Sequence, residues 1–175
     1  MSKWNRRLAA LVLAVALAAG VSCTSSDTES PVAPSAEPQP ALIGTLLSAT
    51  DLLTCQSLPY KVTTKVVGSE GGSIYVGQYS LVIPQGALSQ RISITAEQMP
   101  GSVNSVRFSP EGLKFAKSAQ LTMSYKNCFL VLKAKRIAYT TELLKILNLL
   151  PSIDLFGSKT VTSPIDHFSR YAVSY

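Results

Sequence analysis

Few residues of this chain could carry out catalysis. The 175 residues include one histidine, His167, and three cysteines. A Ser-His-Asp triad is formally possible, but the Gly-x-Ser-x-Gly turn of many serine hydrolases is missing. Metal centres need several clustered His, Cys or carboxylate ligands, and phosphate-binding loops need a glycine-rich segment followed by Lys. The sequence offers neither. We expect a protein that is not an enzyme and binds no metal or cofactor, with an envelope hydrolase of dispersed site as the alternative.

The first 22 residues have the layout of an export signal. Lys3, Arg6 and Arg7 precede an apolar run of about 14 residues from Leu8 to Val21. A helix that spans a membrane needs about 20 apolar residues, so this run has the length of a signal-peptide core instead. We therefore predict that residues 1–22 form a signal peptide.

The end of this segment, Gly20-Val21-Ser22-Cys23, resembles the lipobox of bacterial lipoproteins. Gly20 stands where that pattern usually has Leu. The resemblance implies that Cys23 is lipidated and becomes the mature N-terminus, and that the lipid is the protein's contact with the membrane. Thr24 rather than Asp after the cysteine favours the outer membrane or cell surface. An ordinary cleaved signal with an incidental cysteine is the alternative.

Residues 23–40 comprise Cys23 and a linker rich in Pro, Ser and acidic residues. Such a composition buries almost nothing, so we expect this linker to be disordered. At about 3.1 Å per residue it could hold the domain up to roughly 50 Å from the lipid surface. Residues 41–175 then form one domain, which is a usual size for a single core.

Two cysteines remain once Cys23 carries lipid. The exported compartment is oxidising, and two is the smallest set that can form a closed pair. We predict a Cys55–Cys128 disulfide that pins the segment before the first strand to the domain. Two buried thiols are the alternative.

Alternation of apolar and polar residues indicates a mainly β domain. The segments Arg91–Glu97 and Gln120–Tyr125 both alternate with period two, as half-buried strands do. Gly77-Gln78, between two further strand-like runs, suits a two-residue hairpin turn. Turn residues recur every ten or so positions. These patterns predict a β-sandwich of short antiparallel strands with one or two short helices.

The two helices are predicted from helical spacing. In Glu142–Leu150 the polar residues recur every third position, Thr141 can cap the first turn and Pro151 ends the pattern. All the remaining residues of that segment are Leu or Ile, so the helix should be buried by the sandwich or by a partner. Ala41–Thr54 contains Leu and Ile at helical spacing and predicts a short helix that packs on the domain.

Basic residues are concentrated in one part of the domain. The net charge is +6, but three of the 16 basic residues and none of the 10 acidic ones precede Cys23, which leaves +3. Seven basic residues lie between positions 107 and 136, with only Glu111 opposing them. They are Arg107, Lys114, Lys117, Lys126, Lys133, Lys135 and Arg136.

The last four of these, Lys126, Lys133, Lys135 and Arg136, form a candidate face for an anionic partner. That partner could be lipid phosphate, an anionic glycan or an acidic protein. An ordinary solvated sheet face is the alternative. Aromatic residues are not interleaved as on nucleic-acid platforms, so we expect no nucleic acid.

Residues 66–175 resemble the domain named for zonula occludens and uncoordinated proteins. The resemblance rests on Gly71-Gly72, on Ile83-Pro84-Gln85-Gly86-Ala87-Leu88, on Phe108–Phe115, on Leu121–Tyr125 and on His167–Tyr171. It is similar to bacterial lipoprotein versions of that domain. The resemblance implies a β-sandwich that serves as an interaction or structural module, with a protein or an envelope glycan as partner.

The same resemblance raises a self-processing reaction as the alternative function. In some animal members a His-Phe-Ser motif cleaves its own chain, which here would mean attack of the Ser169 hydroxyl on the Phe168 carbonyl with His167 as base. Strand alternation would place His167 and Ser169 on one face. That face would also carry Ile165, Tyr171, Val173 and Tyr175. A buried histidine that is hydrogen-bonded needs no chemistry to explain it, so we expect a structural role for His167.

Overall fold

The computed structural model describes residues 51–175, and thirteen β-strands make up nearly all of their regular structure. The predicted signal peptide, the lipidated Cys23 and the linker lie outside these residues. The strands are β1 (Thr54–Leu58), β2 (Lys61–Val67), β3 (Gly72–Val76), β4 (Tyr79–Ile83), β5 (Ile92–Met99), β6 (Gly101–Val103), β7 (Ser105–Ser109), β8 (Lys114–Ser124), β9 (Arg136–Thr140), β10 (Ile146–Leu149), β11 (Ile153–Leu155), β12 (Thr160–His167) and β13 (Arg170–Ser174).

Two antiparallel sheets enclose one core. The six-stranded sheet has the order β10-β9-β13-β7-β5-β2, the five-stranded sheet has the order β11-β12-β8-β4-β3, and β1 pairs with β6 separately. Buried residues of both sheets, from Leu53 to Val173, form a single apolar cluster. The predicted β-sandwich of antiparallel strands is confirmed.

The alternating segments form strands as predicted. In β5 the side chains of Ile94 and Ala96 are fully buried while Ser93 is exposed, and in β8 Leu121 and Met123 are buried. The two-residue turn at Gly77-Gln78 joins β3 and β4, whose register pairs Val76 with Tyr79. Gly77 has φ of 58°, and a Cβ there would overlap the side-chain oxygen of Gln98. Glycine is therefore required at this turn.

The prediction of a helix at Glu142–Leu150 is wrong. Residues 141–145 form a tight hairpin turn in which Leu144 has φ of 60°, and β10 then pairs with β9. The Thr141 hydroxyl accepts a hydrogen bond from the Lys145 amide at 3.1 Å, so it closes the turn instead of capping a helix. Ile146 is buried in a small second cluster, which also contains Leu52, Ala138 and Ala172.

The second predicted helix, Ala41–Thr54, lies mostly outside the described residues. Its last residues are extended, because Leu52 forms a bridge with Ser174 and Thr54 begins β1. Cys55 consequently lies within the first strand and not before it.

The C-terminal segment is not the single strand that the alternation predicted. β12 ends at His167 in the five-stranded sheet, and β13 begins at Arg170 in the six-stranded sheet. The chain changes sheets at Phe168-Ser169. His167 and Ser169 therefore do not share one strand face, and both faces of β13 are buried.

The alternation of buried and exposed side chains in β10 can be tested by replacing two neighbouring residues with Ala. We expect Ile146→Ala to lower the free energy of unfolding by about 2 kcal/mol or more, since Ile146 is 5% exposed. Leu147→Ala is the control and should cost less than about 1 kcal/mol, since Leu147 is 48% exposed. Chemical denaturation measures both variants. Equal, large losses would indicate the buried helix instead of the strand.

Candidate interaction surface

The loop between β8 and β9, residues 125–135, is fixed at its base by a disulfide. Cys55 of β1 is bonded to Cys128, 73 residues further along the chain, so the predicted bridge is present. Backbone hydrogen bonds flank it, from Gln56 to the Asn127 carbonyl at 2.8 Å and from Phe129 to the Thr54 carbonyl at 3.1 Å. We call residues 125–135 the β8–β9 loop. Its base is held by the first strand of the domain.

Side-chain amides add a second support beneath this loop. The Asn104 amide donates to the Asn127 side-chain oxygen at 2.8 Å, and the Gln78 amide donates to the same oxygen at 2.8 Å. The Asn127 amide in turn donates to the Gln56 carbonyl at 2.6 Å. Because Asn104 is buried, its polar atoms need these partners. The network ties the loop to both sheets.

Lys135 organises the middle of the loop from inside. Only 2% of the residue is exposed, and its ammonium donates to the carbonyls of Val131, at 2.6 Å, and Lys133. It also lies 5.6 Å from the centre of the Tyr125 ring. The chain therefore curls around a buried cation. The prediction that Lys135 lies on an exposed face is wrong.

Asp154 of β11 makes two further hydrogen bonds to the β8–β9 loop. Its carboxylate accepts from the Tyr125 hydroxyl at 2.6 Å and from the Lys135 backbone amide at 2.8 Å. Burial, and then the hydrogen bond to Asp154, raises the pKa of the Tyr125 hydroxyl well above its ordinary value. Tyr125 therefore stays protonated and donating at neutral pH.

The outer side of the loop exposes large apolar side chains. Phe129, Leu130 and Leu132 are 60%, 71% and 87% exposed. Phe156, on the turn after β11, is 53% exposed and lines a small cleft together with Phe129 and Leu130. Sequence reasoning missed these residues. The available signal was an apolar run, Phe129–Leu132, flanked by Lys126 and by a Lys-Ala-Lys-Arg segment.

Several basic residues lie on or beside the same loop. Lys126, Lys133 and Arg136 are exposed on or beside the loop, and Lys159 lines the cleft. Within residues 125–136 and 153–159 the only carboxylate is Asp154, and both of its oxygens are engaged. Three of the four residues proposed as an anionic-partner face, Lys126, Lys133 and Arg136, are thus exposed. They lie on a loop and at the first residue of β9, not across a sheet face.

The other three basic residues of the predicted group do not join them. Arg107 of β7 forms an ion pair with Glu97 at 2.8 Å, and Lys117 donates to the Gln85 carbonyl at 3.0 Å. Lys114 begins β8, at the end opposite the loop. The hydrogen bond from Tyr60, more than the pairing with Arg107, lowers the pKa of Glu97, so its carboxylate stays ionised beside Arg107.

The His-Phe-Ser segment is packed into the core at the change of sheets. His167 is half-buried and lies edge-on to the Tyr139 ring, with 4.9 Å between ring centres. Ser169 is 6% exposed, and no hydrogen bond joins its hydroxyl to the His167 ring. The Phe168 carbonyl, which self-cleavage would attack, accepts from the Gly112 amide at 2.9 Å. A nucleophile–base pair is therefore not assembled.

Two further classes of site are not seen in the described part of the chain. Residues 51–175 contain no group of three or more His, Cys, Asp or Glu side chains placed to hold a metal ion. They also contain no helix long and apolar enough to cross a membrane. Neither a protein-family model nor a curated protein sequence matches the chain.

The disulfide should contribute strongly to stability. A bridge that closes a loop of 73 residues is worth roughly 4 kcal/mol in the chain-entropy model. We expect the Cys55→Ser/Cys128→Ser double variant to lose a large part of that amount in chemical denaturation. Alkylation of denatured, unreduced wild-type protein should leave both thiols unlabelled. Two labelled thiols would contradict the bridge.

The packing of His167 predicts a full-length protein. Intact-mass measurement on denatured wild-type protein should show no loss of residues 169–175, and Ser169→Ala should give the same pattern. His167→Ala should cost about 1 kcal/mol of stability through the lost contact with Tyr139. A missing heptapeptide in the wild type, restored by Ser169→Ala, would establish self-processing.

Proposed function

We propose that this protein is a lipid-anchored module of the cell envelope that acts by binding a partner, not by catalysis. The observation that carries the proposal is the β8–β9 loop, which exposes large apolar side chains from a base held by the Cys55–Cys128 disulfide. Contiguous exposed apolar groups on soluble domains mark interaction sites. The loop is one contact surface of the module.

The disulfide and the N-terminal sequence support the same compartment. Disulfides persist in oxidising surroundings such as the periplasm and the cell surface. Residues 1–22 have the basic, apolar and small-residue parts of an export signal, and Cys23 follows them. In this proposal Cys23 carries the lipid, the linker to residue 40 spaces the domain from the surface, and the outer membrane or cell surface is the location.

The resemblance to the zonula-occludens and uncoordinated domain supports a binding role. That domain is a β-sandwich used for contacts, and residues 51–175 form an antiparallel β-sandwich. The partner proposed on this basis is a protein or an envelope glycan, and no nucleic acid. Self-processing at Phe168-Ser169 is not proposed, because His167 and Ser169 are not hydrogen-bonded to each other.

Lipidation of Cys23 is the first test. In a bacterial host given labelled palmitate, the wild-type chain should incorporate label and sediment with membranes. Cys23→Ala should incorporate none. The Cys55→Ser/Cys128→Ser variant is the matched control and should keep the label. An unlabelled wild type, or a labelled Cys23→Ala variant, contradicts the anchor.

A further inference from the structure

We infer that the β8–β9 loop, together with the turn at residues 156–159, binds an anionic phospholipid surface. In this arrangement the exposed lysines contact lipid phosphates, and Phe129, Leu130 and Leu132 enter the interface between headgroups and acyl chains. This contact is separate from the lipid on Cys23 and would give the domain a second hold on the membrane. Which end of the domain faces the membrane is inferred from the proposed lipid anchor and so rests on the proposed function. That the loop binds anionic lipid is inferred from the loop alone.

The apolar residues are arranged for insertion and not for packing within the domain. Leu132 is 87% exposed and Leu130 is 71% exposed. The backbone beneath them is held inward by the Lys135 ammonium, which binds the Val131 and Lys133 carbonyls. Because the loop is already ordered, binding costs little further conformational entropy.

The charges select an anionic surface. Lys159 lines the cleft with Phe129 and Leu130, and Lys133 directly follows Leu132 in the chain. Asp154 is the only carboxylate within residues 125–136 and 153–159, and it is occupied by Tyr125 and Lys135. Lysine is depleted at protein–protein interfaces. Lysine beside Leu and Phe is the composition of segments that lie in the membrane interface. This combination favours a lipid surface over a protein partner for the loop.

The point where the chain enters the described domain lies at the same end. The Tyr175 amide donates to the Asp51 carbonyl at 3.1 Å, and the Lys133 ammonium is 4.9 Å from the centre of the Tyr175 ring. Asp51 and the loop are thus linked through one residue. If Cys23 carries lipid, residues 24–50 join that lipid to the described domain at this end, so the loop lies near the point of attachment.

A vesicle experiment tests the inference without the lipid anchor. The chain from residue 24 onward retains the whole buried cluster from Leu53 to Val173 and lacks Cys23. Its co-sedimentation is measured with phosphatidylcholine vesicles, with and without phosphatidylglycerol. We expect binding only to vesicles that contain phosphatidylglycerol, and weaker binding at higher salt because screening shortens the reach of the lysines.

Two variants and two matched controls locate the contact. Lys133→Gln should lower the partition coefficient about five-fold, which corresponds to about 1 kcal/mol per basic residue at an anionic surface. Leu132→Ser should lower it about ten-fold, since a large apolar group no longer inserts. Lys145→Gln and Leu143→Ser change the same residue types in the turn after β9, at the opposite end of that strand, and should leave binding unchanged.

Several results would overturn the inference. They are equal binding to both vesicle types, equal losses in the controls, undiminished binding of Leu132→Ser, and sedimentation with insoluble envelope glycan but not with vesicles. Thermal denaturation of each variant checks that the domain remains folded. Palmitate labelling of Cys23 does not depend on the loop, so the two proposals fail separately.

Discussion

The position of Phe168 between the two sheets is the constraint on which the sandwich depends. Its ring stacks on Phe108 of the six-stranded sheet at 5.2 Å and meets Phe115 of the five-stranded sheet edge-on at 5.0 Å. Its backbone is bonded to Gly112 and Leu113 while the chain passes from one sheet to the other. A fully buried aromatic at a crossover helps to fix the position of one sheet relative to the other, because protein cores are close-packed.

This crossover determines where the proposed binding surface lies. It sends β13 into the middle of the six-stranded sheet, with β9 on one side and β7 on the other. The end of β13 then bonds to residues 51–53, from which β1 leads through Cys55 to the β8–β9 loop. The start of the described chain, the last strand and the loop meet at one end as a result. The orientation argued for the membrane contact follows from this topology.

The strands with period-two alternation could be predicted from sequence, since alternation itself reflects one buried face. The structure of Glu142–Leu150 could not be predicted in this way. Its apolar residues fit a helix, but they also fit a strand that packs Ile146 and Leu149 into the second cluster. Leu144 has a left-handed backbone conformation that belongs to the hairpin turn. The ion pairs of Glu142 with Arg170 and Arg107 are tertiary contacts that the local sequence does not reveal. The alternation of side chains between two strand faces also continues in the sequence across Phe168-Ser169. It therefore gave no sign that the chain changes sheets there. The disulfide was predictable because, once Cys23 is assigned to the proposed lipid, the three cysteines leave one pair.

The buried Lys135 is the strongest physical reason to assign the β8–β9 loop a function. Burying an ammonium group is costly unless every proton finds a partner. Here two carbonyls and the Tyr125 face provide them, while Asp154 holds the backbone amide. An apolar residue at 135 would serve a core equally well, but it could not hold the loop carbonyls inward. What the lysine secures is the outward presentation of Leu130 and Leu132, which does nothing for folding. Leu130 and Leu132 held outward on such a support are what the proposed contact with a lipid surface requires.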